Sequence, residues 1–81
     1  MNLRYTELFR QNFSSLPKVI KDKYRKQEKF LLISVRYPSL RAKKYDESGD
    51  VWQARVDDHY RFYFQIESDT YVIVNILPHS D

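Results

Sequence analysis

VWQARVDDHYRFYFQIE, residues 51–67, decides the fold. Successive side chains of an extended chain point to opposite faces. Trp52, Ala54 and Val56 therefore take one side, and Gln53, Arg55 and Asp57 the other. Asp58-His59 marks a tight reversal, after which the alternation restarts. Tyr60, Phe62, Phe64 and Ile66 oppose Arg61, Tyr63, Gln65 and Glu67. Two half-buried strands joined in this way read as a hairpin. Downstream, Ser68-Asp69 is a second turn and Tyr71–Leu77 a further strand, with Val72, Val74 and Ile76 opposite Tyr71, Ile73, Asn75 and Leu77. Upstream, Glu47-Ser48-Gly49-Asp50 is a turn signal, and Leu40–Tyr45 reads as another strand. The result is an antiparallel meander.

The N-terminal half has a different period. Asn2–Thr6 is a short first strand, and Glu7–Phe13 a short helix with Leu8, Phe9 and Phe13 as apolar positions. Ser15-Leu16-Pro17 reads as a helix start, with Ser15 as cap and Pro17 in the first turn. The second helix is expected from Pro17 to Val35. Leu16, Ile20, Tyr24, Gln27, Leu31 and Ser34 lie along one face, flanked by Val19, Lys23 and Phe30. Lys18, Lys21, Arg25, Lys26 and Lys29 fall mainly outside that stripe, an amphipathic pattern. Pro38 ends the helical stretch. Helices followed by strands give an α+β layer arrangement: two N-terminal helices packed on one face of a mainly antiparallel sheet of three or four strands. Residues 1–81 read as one domain. Trp52, Val56, Phe62, Phe64, Val72, Val74 and Ile76 are expected under the helix that carries Ile20, Tyr24 and Leu31.

Composition removes several classes of function. The 81 residues include no cysteine, so no disulfide or thiolate site exists. The single glycine excludes Gly-rich phosphate loops. No apolar run is long enough to span a bilayer, and Met1–Arg10 is too polar for a signal peptide. A cytoplasmic location without membrane attachment is expected. Adjacent Asp57 and Asp58 point to opposite faces of a strand, a poor arrangement for a metal. The net charge of +3 is unevenly spread. Residues 1–44 hold twelve Lys/Arg against three acids, and residues 45–81 hold two against eight. Such asymmetry suits a polyanion or an acidic partner, although helix lysines also serve a merely solvated face.

The sheet face turned away from the helices carries Arg55, Arg61, Tyr63, Asn75 and, if extension continues through Pro78, His79. Arginine offers a planar fork to phosphate oxygens, and tyrosine can stack on a base. Histidine can move a proton near neutral pH. Each has a plainer reading. Arg55 could pair with Asp57 or Glu67 at the surface, Tyr63 is a good strand residue anywhere, and His79 could be simply solvated. His59 reads as a turn residue.

Pro38–Lys44, Trp52–Val56, Tyr60–Phe64 and Leu77-Pro78-His79, taken in this order after a strand and two helices, resemble the RelE/ParE toxin superfamily. The resemblance covers nearly the whole chain and is most specific over Trp52–Phe64. It implies a toxin held by an antitoxin with an acidic, partly disordered segment. RelE-like members cut mRNA in the ribosomal A site without a metal or other cofactor. The RNA 2′-hydroxyl attacks the adjacent phosphate and leaves a cyclic phosphate. ParE-like members bind and inhibit DNA gyrase without catalysis, and an inactive remnant of the fold is a further alternative. Under the nuclease reading the resemblance makes Arg61, His79 and Arg55 catalytic, and Tyr63 and Asn75 on the same sheet face, with Lys43, Lys44 and Lys26, are expected to bind RNA. The ribosome and its mRNA are then partners. After His79 the nucleases usually continue to a further Arg and a Tyr that stacks on the codon, where this sequence has Ser80 and Asp81.

Overall fold

Thr6 starts the helical layer. Its side-chain oxygen accepts from the Phe9 N–H at 3.1 Å and donates to the Val74 carbonyl at 2.8 Å, so one hydroxyl caps a helix and pins it to the sheet. The structure, a computed structural model, describes residues 1–79. Ser80 and Asp81, where the resemblance to the nucleases breaks off, lie outside the described residues. The elements run β1 (Asn2–Tyr5), α1 (Glu7–Ser14), α2 (Lys18–Ile33), a 3-10 helix (Pro38–Leu40), β2 (Lys43–Asp46), β3 (Val51–Arg55), β4 (Tyr60–Glu67) and β5 (Thr70–Pro78). One sheet has the order β1-β5-β4-β3-β2, with β1 parallel to β5 and the other pairs antiparallel.

The expected α+β architecture is present, but the sheet has five strands and not three or four. The outer strands β1 and β2 have four residues each, too few to show a clear alternation on their own. Two other expectations change. Ser15 does not cap α2: its hydroxyl donates to the Asn12 carbonyl at 3.0 Å and closes α1. Pro17 holds the cap position of α2, with φ −59° and ψ 152° and no side-chain cap bond, because only three residues separate the helices. Leu40 is fully buried in the 3-10 helix, and the strand begins only at Lys43.

Ile20, Tyr24, Gln27 and Leu31 form the buried stripe of α2, whereas Ser34 lies beyond its end and is exposed. Tyr24 meets Phe9 of α1 at 5.2 Å between ring centroids and Phe62 of β4 edge-on at 5.1 Å. Both phenols that face Glu28 donate to it, Tyr5 at 2.7 Å and Tyr24 at 2.8 Å. Burial, reinforced by that carboxylate, pushes both phenols well above the usual tyrosine range. Phe62 and Phe64 are fully buried, Ala54, Val56 and Ile76 are buried, and Trp52 packs at the margin.

The last strand departs from strict alternation. Tyr63 pairs with Asn75 but Phe64 pairs with Ile73, so Val74 is an extra residue, a β-bulge. Past the bulge the faces exchange. Tyr71 and Ile73 join the helix-side core, while Val72 turns to the other face beside Gln65, where it is still buried. The expectation that Val72 and Val74 lie under the helix is therefore corrected. Ile66, at the far end of β4, is 37% exposed.

Candidate functional site

Cross-strand register builds the site, because directly paired residues share a face. Arg55 on β3 lies opposite Arg61 on β4, and Arg61 lies opposite Leu77 on β5. The next row runs Lys43, Gln53, Tyr63, Asn75 across β2 to β5. The chain stays extended past Pro78, since the His79 N–H donates to the His59 carbonyl at 2.7 Å. These placements leave a groove of about 280 Å³ lined by Arg41, Lys43, Gln53, Arg55, Arg61 and His79.

Two arginines opposite each other on neighbouring strands repel, and the β3–β4 turn offsets this. Arg55 pairs with Asp58, not with Asp57 or Glu67. Glu67 instead holds Arg4 at 3.2 Å, and Asp57 holds Lys23 at 3.2 Å. Arg61 makes no ion pair among the described residues. One end of its guanidinium donates to the carbonyls of Asp57 at 2.5 Å and Tyr60 at 3.0 Å. Asp57 shapes the turn, accepting from the N–H groups of His59 at 2.8 Å and Tyr60 at 2.9 Å. Burial alone would raise its carboxyl, but the His59 N–H, the Lys23 ammonium and the Tyr60 N–H outweigh it and hold the group below the usual carboxylate range. From beneath, the buried amide of Gln27 donates to the Arg55 carbonyl at 2.6 Å and the Ser39 carbonyl at 3.1 Å and accepts from the Ser39 hydroxyl at 3.1 Å. The groove's backbone is thus tied to α2 and to the 3-10 helix.

An apolar depression of about 300 Å³ adjoins the second row, lined by Leu8, Tyr45, Val51, Tyr63, Asn75 and Leu77 among others. Gln53 donates to the Tyr63 phenol oxygen at 3.2 Å, and the Tyr45 ring meets Tyr63 at 5.2 Å, inclined by 67°. The Asn75 carbonyl oxygen accepts from the Asn12 amide at 2.6 Å and from the Ile76 N–H at 2.9 Å, which joins α1 to β5.

Of the residues singled out in the sequence, Arg55, Arg61, His79 and Lys43 meet in the groove, and Tyr63 and Asn75 meet beside it. Lys44 pairs with Trp52 in register and so turns to the helix side, where its ammonium lies 2.5 Å from Asp50 and 5.8 Å from the Trp52 ring. Lys26 stands on α2, its ammonium 6.0 Å from the Phe30 ring. Arg41, Gln53 and Gln27 were not singled out as site residues. Parity with Arg55 places Gln53. Arg41 has φ 46°, in the left-handed region after the 3-10 helix, and no period foresees it. An amide within the apolar stripe of α2 was the signal for Gln27.

No family model matches the chain, and no curated protein matches it. Solved structures do. A YoeB/ParE toxin from Agrobacterium tumefaciens superposes with a TM-score of 0.83 at 10% identity, over 99% of this chain and 100% of that one. A chain of an archaeal RelE-RelB complex from Pyrococcus horikoshii gives 0.78 at 20% identity, covering 95% and 92%. A chain of a toxin-antitoxin complex from Mycobacterium tuberculosis gives 0.73 at 23% identity, covering 96% of each. The fold is that of the RelE/ParE toxins.

Proposed function

We propose that this chain, which has the RelE/ParE toxin fold, is the toxin of a toxin-antitoxin pair and cuts mRNA on the ribosome without a metal. The observation that carries this reading is the groove in which Arg41, Lys43, Arg55, Arg61 and His79 converge on the open sheet face. The 2′-hydroxyl of the substrate forms a bond to the adjacent phosphorus and loses its proton. The bond from phosphorus to the 5′-oxygen breaks, and that oxygen gains a proton. The products are a cyclic 2′,3′-phosphate and a 5′-hydroxyl. Arg61 stabilises the charge that grows on the phosphoryl oxygens, Arg55 and Lys43 hold the backbone, and His79 moves one of the two protons. Tyr63 and Asn75 extend the contact with RNA on this face, while Lys44 and Lys26, which lie on the helix side, add only attraction at a distance.

The partner is an antitoxin with an acidic, partly disordered segment. Two of the three matched structures named above come from complexes, a RelE-RelB complex and a toxin-antitoxin complex, and the basic N-terminal half offers complementary charge. Cytoplasmic targets match this role. No helix among the described residues is long and apolar enough to cross a membrane.

The test is inducible expression in a bacterium, followed by primer extension on a model mRNA and mass spectrometry of the RNA ends. The expected result is codon-spaced cleavage with cyclic phosphate termini. Growth arrest with intact mRNA would overturn the nuclease reading. One observation favours a second reading: Arg55 is occupied by Asp58 and part of Arg61 by backbone carbonyls. A ParE-type protein that binds gyrase needs no free guanidinium for chemistry, and loss of supercoiling activity in vitro would select that reading.

A further inference from the structure

Tyr45 is out of place for a structural residue. It is 62% exposed, sits in the edge strand β2, and falls where the β2–β3 register slips between Lys44 and Asp46. A bulge of this kind re-aims a side chain. Alternation from Lys43 already places Tyr45 on the open face, where its ring meets Tyr63 edge-to-face, and the slip carries the next residue, Asp46, to the same side. Tyr63 is itself held by the Gln53 amide, so the pair has a fixed floor and an accessible upper ring. Leu8 and Leu77, 52% and 39% exposed, line the same largely apolar depression, together with Asp46. The patch borders the cationic groove directly. Lys43 and Tyr63 stand in one cross-strand row, and Arg61 precedes Tyr63 by two residues on β4, about 7 Å along the strand.

A charged groove beside an open aromatic surface matches the two halves of a nucleotide, an anionic phosphate and a flat base. Stacking on aromatic rings and backbone attraction are the two components of single-strand recognition. We infer that the depression around Tyr45 and Tyr63 is a nucleobase subsite for single-stranded RNA, with Tyr45 as the stacking residue and Tyr63 as its support. The inference rests on the reading of the groove as a phosphate site. It adds that the affinity of this face has a part independent of salt, supplied by a residue on the edge strand. Charge alone does not separate RNA from an acidic protein segment at the groove, but the exposed Tyr45 ring beside it favours a base.

The test is fluorescence anisotropy with a labelled single-stranded RNA carrying 2′-O-methyl groups throughout, which cannot be cleaved by 2′-hydroxyl attack. It is titrated at several salt concentrations against the parent, Tyr45→Ala, Tyr45→Phe and Lys43→Ala. Tyr45→Ala should weaken binding by about 5- to 150-fold with the salt slope unchanged, the range set by one base-aromatic stack. Tyr45→Phe should bind like the parent. Lys43→Ala should make the slope shallower by about 0.7. An oligomer of the same length without bases should bind parent and Tyr45→Ala alike. Thermal melts of the variants confirm that each is folded. Equal affinity of parent and Tyr45→Ala for the RNA would overturn the base subsite and leave the groove intact. Absence of any salt-dependent RNA binding by the parent would overturn both.

Discussion

Helix α2 and the open sheet face both carry positive charge, but they hold it in opposite ways. On α2 most cations are held loosely: Lys18 is 88% and Arg25 58% exposed at the side chain, and their ion pairs among the described residues are with Asp22, on their own helix, while Lys23 alone reaches the β3–β4 turn. On the sheet, the Arg55 side chain is 29% exposed and its carbonyl is held by a buried glutamine. Arg61 lies on a strand between Phe62, which is in the core, and Tyr60, which packs against it, and its guanidinium leans on the turn. Attraction at a distance needs only net charge. Stabilising a reacting phosphate needs a group whose position is fixed beforehand. Under the proposed function, long-range attraction would fall to the helix and chemistry to the sheet.

The largest expected effect comes from breaking the platform that makes the sheet rigid. Phe64 is fully buried beneath the open face and touches both Trp52 and Tyr71. Phe64→Ala should cost about 3–5 kcal/mol, a large share of a small domain's stability. Urea unfolding followed by circular dichroism measures it, and a loss below about 1 kcal/mol would contradict the assigned core.

How far the sheet could be read in advance depended on strand length and regularity. The β3–β4 hairpin alternates without interruption, so its open face, with Arg55, Arg61 and Tyr63, was legible residue by residue. Its eight-residue second strand has the bounds expected. Strand β5 was legible as a strand but not in its facing, because the Val74 bulge exchanges the faces and no residue type announces it. β1 was anticipated as a strand, but nothing in four residues indicated its parallel pairing with β5, nearly seventy positions away. Among the site residues, parity found those on strands. It did not find Arg41, which reaches the groove from a turn, and it grouped Lys44 with Lys43 although neighbours on a strand face opposite ways.

The next effect is on the site alone. His79→Ala should slow RNA cleavage by about 100-fold or more if His79 moves a proton, while binding to non-cleavable RNA stays near that of the parent. Single-turnover cleavage and anisotropy separate the two. Equal losses in both would make His79 a binding residue only.

A smaller effect probes the turn that supports the groove. Asp57 has a lowered pKa, so its contribution is fully present above the unfolded value of about 3.9 and is lost as pH falls through the folded value. Asp57→Asn should therefore be least stable relative to the parent near neutral pH, and the two should converge as the medium becomes acidic. Denaturation midpoints from pH 7 downward test this. A constant gap at all pH values would remove the carboxylate from the account.

The smallest effect should come from the helix. Lys26→Ala should weaken binding to ribosomes or RNA modestly and make the salt slope shallower by about one unit. Replacement of Lys29, a turn further on, should do nearly the same, because these cations are interchangeable. A much larger loss at one of them would break the division between helix and sheet.

The most direct test sets the two regions against each other in one assay. Parent, Arg61→Ala and Lys26→Ala are induced at matched soluble levels, and growth and mRNA ends are followed together. The account predicts arrest and cleavage with the parent and with Lys26→Ala, and neither with a folded Arg61→Ala, because the proposed function sets Arg61 at the reacting phosphate and Lys26 on the helix away from it. Full arrest and cleavage by Arg61→Ala would contradict it.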